Sequence, residues 1–444
     1  MDIIIGFAIF IAAMLTSILS GHSIVLGLCA GFVTFMLLGL RRDVPFKKLL
    51  RASFASALES RSVAGILVII GIITALWRSS GTIMVIVYYG IQIISPASFL
   101  MITFVISCLL SYALGTSFGV AGTVGVIFMT LARSGGVDPV ITAGVILSGV
   151  FFGDRGSPLS GTALMVAGIT GTDIYGNVKR MMKSALPAVL ICLAIYGFLS
   201  LRNPITSVDQ DVLSSIASEY AITMWAFVPA ILMLVLPFLK VGLILSLAAS
   251  IISAALITWK LQGMSLLSIL QASALGYTTE DAALAGIING GGIISMMETI
   301  LIVMISCSFS GIFSEARLLE PLQKLLVRAS DKAGSIPLMI LISLASSAAF
   351  CNQVAAIQMC SDFMRPVYEG ERKSSEDFAL DIENTAITVP AFIPWSIICT
   401  VPLALLRAGY GSMIYAVFLY VIPICAWIRQ AVRLLTLKTS LQPQ

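Results

Sequence analysis

The 444-residue chain is 58% hydrophobic and 11% charged with a formal net charge of +4, and its mean hydropathy is +1.03. A soluble globular domain has about a quarter of its residues charged, so that class is excluded and an all-α polytopic membrane protein in a lipid bilayer is predicted. Eight cysteines (Cys29, Cys108, Cys192, Cys307, Cys351, Cys360, Cys399, Cys425) stand singly with no C-x-x-C pair, which argues against a disulfide framework or a zinc site.

A helix needs about 20 apolar residues to cross a hydrocarbon core. Such runs recur near 2–20, 22–40, 62–78, 138–171 and 178–201, then near 222–239, 241–259, 287–308, 374–406 and 411–428. The first, MDIIIGFAIF, has neither a basic flank nor a small-residue cleavage site, and reads as a retained helix. Between the third and fourth span of each half come a surface-lying helix (82–94; 312–330) and two apolar half-runs. Those half-runs, 97–133 and 336–364, meet at small or polar tips, GTSFG at 115–119 and FCNQV at 350–354. Tips of that composition suit re-entrant hairpins whose backbone lines a cavity, although two ordinary spans per pair is the plainer alternative.

The order of parts repeats, and five spans per half is an odd number. The fold class expected is therefore two inverted repeats of five transmembrane helices, each with a re-entrant hairpin and a broken helix. The first repeat covers 1–201, an exterior linker 202–221, the second repeat 222–436, and a mobile tail 437–444. With both termini cytoplasmic, five of the 26 Lys and Arg residues face outward (Arg78, Arg133, Arg202, Lys260, Arg407), Arg155 lies in the membrane, and the rest fall inside. That bias is the positive-inside pattern of a cytoplasmic (inner) membrane protein.

The broken spans carry the chemistry. FFGDRGSPLSGT (151–162) places Asp154 and Arg155 mid-span, where a charge costs at least about 2.5–3.5 kcal/mol on insertion scales unless it meets a cavity or a partner. Pro158 and its neighbouring glycines interrupt the helix and leave backbone groups beside Asp154, Ser157, Ser160 and Thr162. ALDIENTAITVPAFIPWS (379–396) answers in the second half with Asp381, Glu383, Asn384 and Thr385 before Pro390 and Pro394. Oxygen-rich breaks at matching places, faced by hairpin tips carrying Thr116, Ser117, Asn352 and Gln353, point to a transporter's central ion or solute site. The plainer reading makes Asp154 and Arg155 a fold-holding pair and the prolines mere kinks. Glu298, in GGGIISMMETI, reads as a membrane-buried acid, either a proton carrier together with Asp381 or a structural acid.

The order GTSFGVAGTVGV, FFGDRGSPLSGT, GGGIISMMETI, FMRPVYE and ENTAITVPAFIPW, from about residue 62 to 400, resembles the NhaC-type sodium/proton antiporters of the ion-transporter superfamily. The resemblance implies two inverted five-helix repeats working by an elevator-like movement. Asp154, Ser157, Pro158, Ser160, Thr162 and Glu383 match the family's G-D-K-x-S-P-L-S-D-T-T and L-E-D-S-G-T patterns. Gly161 and Asn384 stand where those patterns have aspartates, and Glu298 where an apolar or aromatic residue is usual.

The function expected is a cation-coupled secondary active transporter. Na+ or H+ is the coupling ion, no other cofactor is called for, and Asp154 and Glu383 are the expected Na+ ligands. The alternative is a transporter or exchanger of an amino acid or small organic acid on the same scaffold, since two lost carboxylates weaken the case for Na+. An enzyme is disfavoured: GTSFG spells G-x-S-x-G, but the chain has one histidine, His22, and that motif needs a strand-to-helix turn. No filter repeat suggests a channel, no Walker motif suggests ATP, and the basic residues follow the spans and give no nucleic-acid signature. Glycine-rich faces such as GIINGGG suit contacts within the chain or in a homodimer, and the sequence leaves that open.

Overall fold

The computed structural model describes residues 2–20, 22–93, 96–204, 220, 223–239, 241–279, 289–318, 334–370 and 373–440. These are helical almost throughout, with one isolated β-bridge, Tyr277 to Gly290. The described part of the first half comprises α1 (Asp2–Leu19), α2 (Ile24–Leu40), α3 (Phe46–Glu59), α4 (Arg61–Ser79), α5 (Thr82–Ile93), α6 (Phe99–Leu114) and α7 (Ser117–Ser134), then α8 (Pro139–Gly156), α9 (Gly161–Thr170) and α10 (Ile174–Arg202). After it come α11 (Val228–Phe238), α12 (Leu243–Lys260), α13 (Leu266–Leu275), α14 (Ile294–Glu315), α15 (Ser335–Phe350) and α16 (Gln353–Gly370), then α17 (Ser375–Thr385), α18 (Ile397–Leu406) and α19 (Val417–Ser440). Among the described residues α4, α7, α10 and α14 are each long and apolar enough to cross a membrane, and Ser375–Phe392 with α18, bent by 60° at the break, passes the same test when the two are taken together.

The surface is the reverse of a soluble protein's. Leu26, Val33 and Leu37 on α2, Leu186, Leu190 and Phe198 on α10, and Ile244, Ile252 and Leu256 on α12 are each more than half exposed, whereas Asp154, Arg155 and Glu383 are buried. A bilayer accepts such apolar faces at no cost, so helices associate through close packing and polar contacts instead. Phe10, Phe35, Phe309, Phe313 and Trp395 form an edge-to-face cluster joining α1, α2 and α14 to the loop before α18.

Several boundaries differ from expectation. The span expected at 287–308 begins at Ile294, because Gly290, Gly291 and Gly292 take φ of +122°, +77° and +80° and keep the chain out of a helix. It then continues to Glu315, so residues 312–315 belong to α14 and not to a surface helix; positions 319–330 of that expected helix lie outside the described residues. So do most of the linker (205–219 and 221) and the last four residues of the tail. The closing span starts at Val417, after a 3-10 turn at Tyr410–Tyr415, and runs to Ser440.

Two helices were not anticipated, α3 and α13. α3 buries Leu49, Ser53 and Ala57 at a four-residue spacing and lies along α14, tied by the Lys48–Glu315 ion pair at 2.6 Å. Gly311 of α14 sits against the backbone of Ala52 and Ser53. At its far end Ser60 and Glu59 come beside Cys307, about a third of the way back along α14 from its last residue.

Candidate functional site

Asp138 starts α8 by accepting the Val140 N–H at 2.7 Å, with Pro139 in the first turn. The helix stops at Gly156 because Pro158 lacks the N–H that the Asp154 carbonyl would take four residues on. Side chains replace it: Ser160 Oγ and Thr162 Oγ1 donate to that carbonyl at 2.5 and 3.0 Å. Ser160 Oγ also accepts from Ala163 N–H at 3.4 Å and so restarts the chain as α9. Ser157 Oγ accepts the Leu159 N–H at 3.1 Å inside the break.

The Asp154 carboxylate faces both helix–turn–helix tips. Gln353 Nε2 approaches Asp154 Oδ2 at 3.4 Å and donates to the Ile387 carbonyl at 2.7 Å, which links this break to the one after α17. From α7, Ser117 lies beside the same carboxylate with its hydroxyl and its backbone N–H, and the positive end of a helix favours a negative group there. Thr116 and Asn352 are spent on capping: Thr116 Oγ1 accepts from Gly119 N–H at 3.4 Å and Asn352 Oδ1 from Val354 N–H at 3.0 Å.

Gly115, at φ +66°, carries the first tip against the break. A Cβ there would meet the Leu159 carbonyl carbon at 2.5 Å and Ser160 N at 2.7 Å. Gly115→Ala is therefore expected to lower stability by at least about 1 kcal/mol from the left-handed backbone alone and to push Ser117 away from Asp154. Unfolding midpoints and cation affinity measured on one preparation check it; an unchanged affinity would contradict the contact.

Arg155 points elsewhere, as adjacent helical residues about 100° apart must. Its Nε donates to Asn384 Oδ1 at 3.0 Å, and its Nη2 to the Met181 carbonyl at 2.9 Å and Ser184 Oγ at 2.7 Å. Arg155 Nη1, Asn384 Nδ2 and both Glu383 carboxylate oxygens are buried without a hydrogen-bond partner among the described residues. Arg155 is the charged neighbour of Glu383, though no ion pair within 4 Å joins them. The expected side chains are thus gathered into two adjoining groups, Asp154 with the tips and Glu383–Asn384 with Arg155. Thr385 Oγ1 bonds back to the Asp381 carbonyl at 2.7 Å.

Two acids lie apart. Asp381 accepts from Tyr368 Oη at 2.8 Å and pairs with Arg429 at 2.8 Å. Glu298 is exposed at the protein surface and takes a 2.5 Å hydrogen bond from Ser23, at the turn between α1 and α2. It lies one turn inside α14, on the side that carries exposed Ile294, Met297 and Leu301, so an apolar surround in the sequence marked a surface facing away from the core.

A cavity of about 290 Å³ leads to the tips, lined by Glu59, Ser60, Ser62, Ser310, Asn352 and Gln353 among others. The sequence reading assigns no role to Glu59, whose signal is the buried stripe of α3, too short and too basic to count as a span. If the cavity is aqueous, Asn352→Cys in a cysteine-free background should react with a membrane-impermeant thiol reagent applied from the α3 side. Reaction only after the protein is unfolded would contradict an open cavity.

The family model described as "Na+/H+ antiporter family" matches residues 1–169 and 149–429. The chain is 25% identical over 403 residues to the malate-2H(+)/Na(+)-lactate antiporter of Bacillus subtilis, covering 89% of this chain and 86% of that protein. It is 28% identical over 348 residues to the Na(+)/H(+) antiporter NhaC of Alkalihalophilus pseudofirmus, covering 75% and 73%. It is 26% identical over 340 residues to the arginine/ornithine antiporter ArcD of Halobacterium salinarum, covering 74% and 70%. A helical chain rich in apolar spans, with buried carboxylates at two helix breaks, thus belongs to the Na+/H+ antiporter family as a cation-coupled secondary transporter.

Proposed function

We propose that this protein exchanges a monovalent cation for protons at Asp154, with Glu383 and Asn384 completing the site from the second break. The observation that carries the reading is the buried Asp154 carboxylate met by Ser117 from one tip and by Gln353 from the other, the latter also bonded to the second break. With all three groups ionised, Asp154 and Glu383 against Arg155 leave one negative charge, which suits one monovalent cation or one proton. An empty, charged site is costly to carry through a low-dielectric barrier. A unit that crosses only when Asp154 is loaded with either species therefore exchanges one for the other.

In this reading residues 1–201 and 222–436 are inverted repeats, and 97–133 and 336–364 are re-entrant hairpins. The hairpins and broken helices move together, elevator-like, against the remaining helices. The termini are cytoplasmic, so the cavity beside α3 opens inward. A second reading is favoured by Gly161 and Asn384 in place of two aspartates: the cation drives an organic acid or amino acid, the kinds of cargo named for the Bacillus subtilis and Halobacterium salinarum relatives.

Liposomes holding a pH dye and an imposed proton gradient decide between them. Dissipation by Na+, Li+ or K+ alone supports cation/proton exchange. Silence towards cations with a response to one organic solute supports the second reading.

A further inference from the structure

Three guanidinium groups meet where α4, α7 and α18 end. Arg78, in the last turn of α4, is 4% exposed. Its Nη1 donates to the Thr74 carbonyl at 2.8 Å, and its Nε is buried with no partner among the described residues. Arg133, half-buried at the end of α7, donates through Nη2 to the carbonyls of Leu406 and Arg407, each at 3.1 Å. Arg407 is exposed, caps α18 at φ +51°, and donates through Nη1 to the Asn289 carbonyl at 2.8 Å.

The glycine loop before α14 bridges Arg407 and the helix that carries Arg78. Gly290 lies against the Arg407 guanidinium, and Gly291 lies against Thr74 and Ala75, one turn before Arg78. Arg78 has both Arg407 and Arg133 as charged neighbours, and Arg133 has Arg407. Among the described residues no carboxylate comes within ion-pair distance of any of them.

Three like charges in a partly desolvated place repel, and the carbonyls they touch offer only partial negative charge. Each guanidinium carries five N–H donors in a planar fork that matches an oxyanion, and most of those donors are not taken up by the carbonyl contacts. Exposure falls from Arg407 through Arg133 to Arg78, so the cluster is graded from an exposed guanidinium to a buried one. Arg78 and Ser62 stand 16 residues apart on α4, about 24 Å at 1.5 Å per residue, which puts the cluster at the opposite end of that helix from the 290 Å³ cavity.

We propose that the cluster formed by Arg407, Arg133 and Arg78 binds a carboxylate-bearing solute, separately from the cation site at the helix breaks. Arg407 and Arg133 make the first contact, and the free Arg78 Nε receives the anion at the buried end. The assignment holds whichever cargo the central site takes, and its test does not depend on transport.

The protein in nanodiscs of zwitterionic lipid is titrated with succinate and citrate at constant ionic strength, with chloride as the balancing anion, and its thermal unfolding is followed. Wild type should gain at least about 3 °C at saturating anion, since a ligand bound only by the folded state raises the midpoint. Half-saturation should move about tenfold or more upward in Arg407→Asn and Arg133→Gln, the effect expected from losing one charge-assisted hydrogen bond. Asn suits the left-handed backbone at 407, so this variant keeps the proposal testable if Arg133→Gln fails to fold. No carboxylate-dependent gain in wild type, or an equal gain in wild type and Arg407→Asn, overturns the proposal. An arginine-dependent gain with phosphatidylglycerol in the disc but none with succinate or citrate also overturns it, and assigns the cluster to a lipid headgroup.

Discussion

Asp154→Asn is expected to abolish cation-driven proton movement in liposomes while leaving the protein folded. Asn keeps the shape and one carbonyl oxygen, so the contacts with Ser117 and Gln353 can persist, and the Asp154 backbone carbonyl still receives Ser160 and Thr162. What is lost is the carboxylate that can be neutralised either by a proton or by a cation. If the barrier against moving the empty charged site is at least about 2.5–3.5 kcal/mol, the coupling it enforces is worth about two orders of magnitude in rate. The expected result is therefore residual exchange at or below about one hundredth of wild type, with an unfolding midpoint close to wild type. Exchange at the wild-type rate with an unchanged pH profile would remove Asp154 from the proposed mechanism.

Arg155→Met is expected to be the most destabilising change at the site, and Glu383→Gln in the same chain should reverse most of the damage. Arg155 is fully buried, makes three hydrogen bonds, and is the charged neighbour, without an ion pair, of a buried carboxylate whose oxygens have no hydrogen-bond partner among the described residues. Removing one member of a buried charge pair costs about 3–5 kcal/mol because the survivor is left uncompensated, whereas removing both charges is far milder. Unfolding midpoints of the wild type, the two single variants and the double variant give the coupling directly. A double variant no more stable than Arg155→Met would show that Arg155 acts through its contacts with Asn384, Met181 and Ser184 and not through charge.

The membrane class and the positions of both helix breaks were legible in the sequence, for local reasons. Hydropathy is summed over one segment at a time, and a proline removes a backbone donor wherever it sits. Pro158 thus marks the break whatever surrounds it, and the hydroxyls of Ser160 and Thr162 were placed beside Asp154 by sequence proximity alone. The family's residue order carried the functional class in the same way.

Direction and partnership belong to the tertiary structure. Asp154 and Arg155 are neighbours in sequence, yet one faces the helix tips and the other faces α10 and α17, because a helix turns about 100° per residue and only packing says what lies on each side. Glu298 and Glu383 both read as acids in apolar runs. The fold turns the first outward to Ser23 and seals the second inside with Arg155. α3 was too short and too basic for a span, and only its place along α14 brings Glu59 to the cavity. Composition and local backbone chemistry determined that this chain is a membrane protein with charged helix breaks, and the resemblance in residue order supplied the transporter class. Which charges meet was decided by long-range packing, since in a bilayer an apolar neighbourhood describes the lipid face and the protein core equally well.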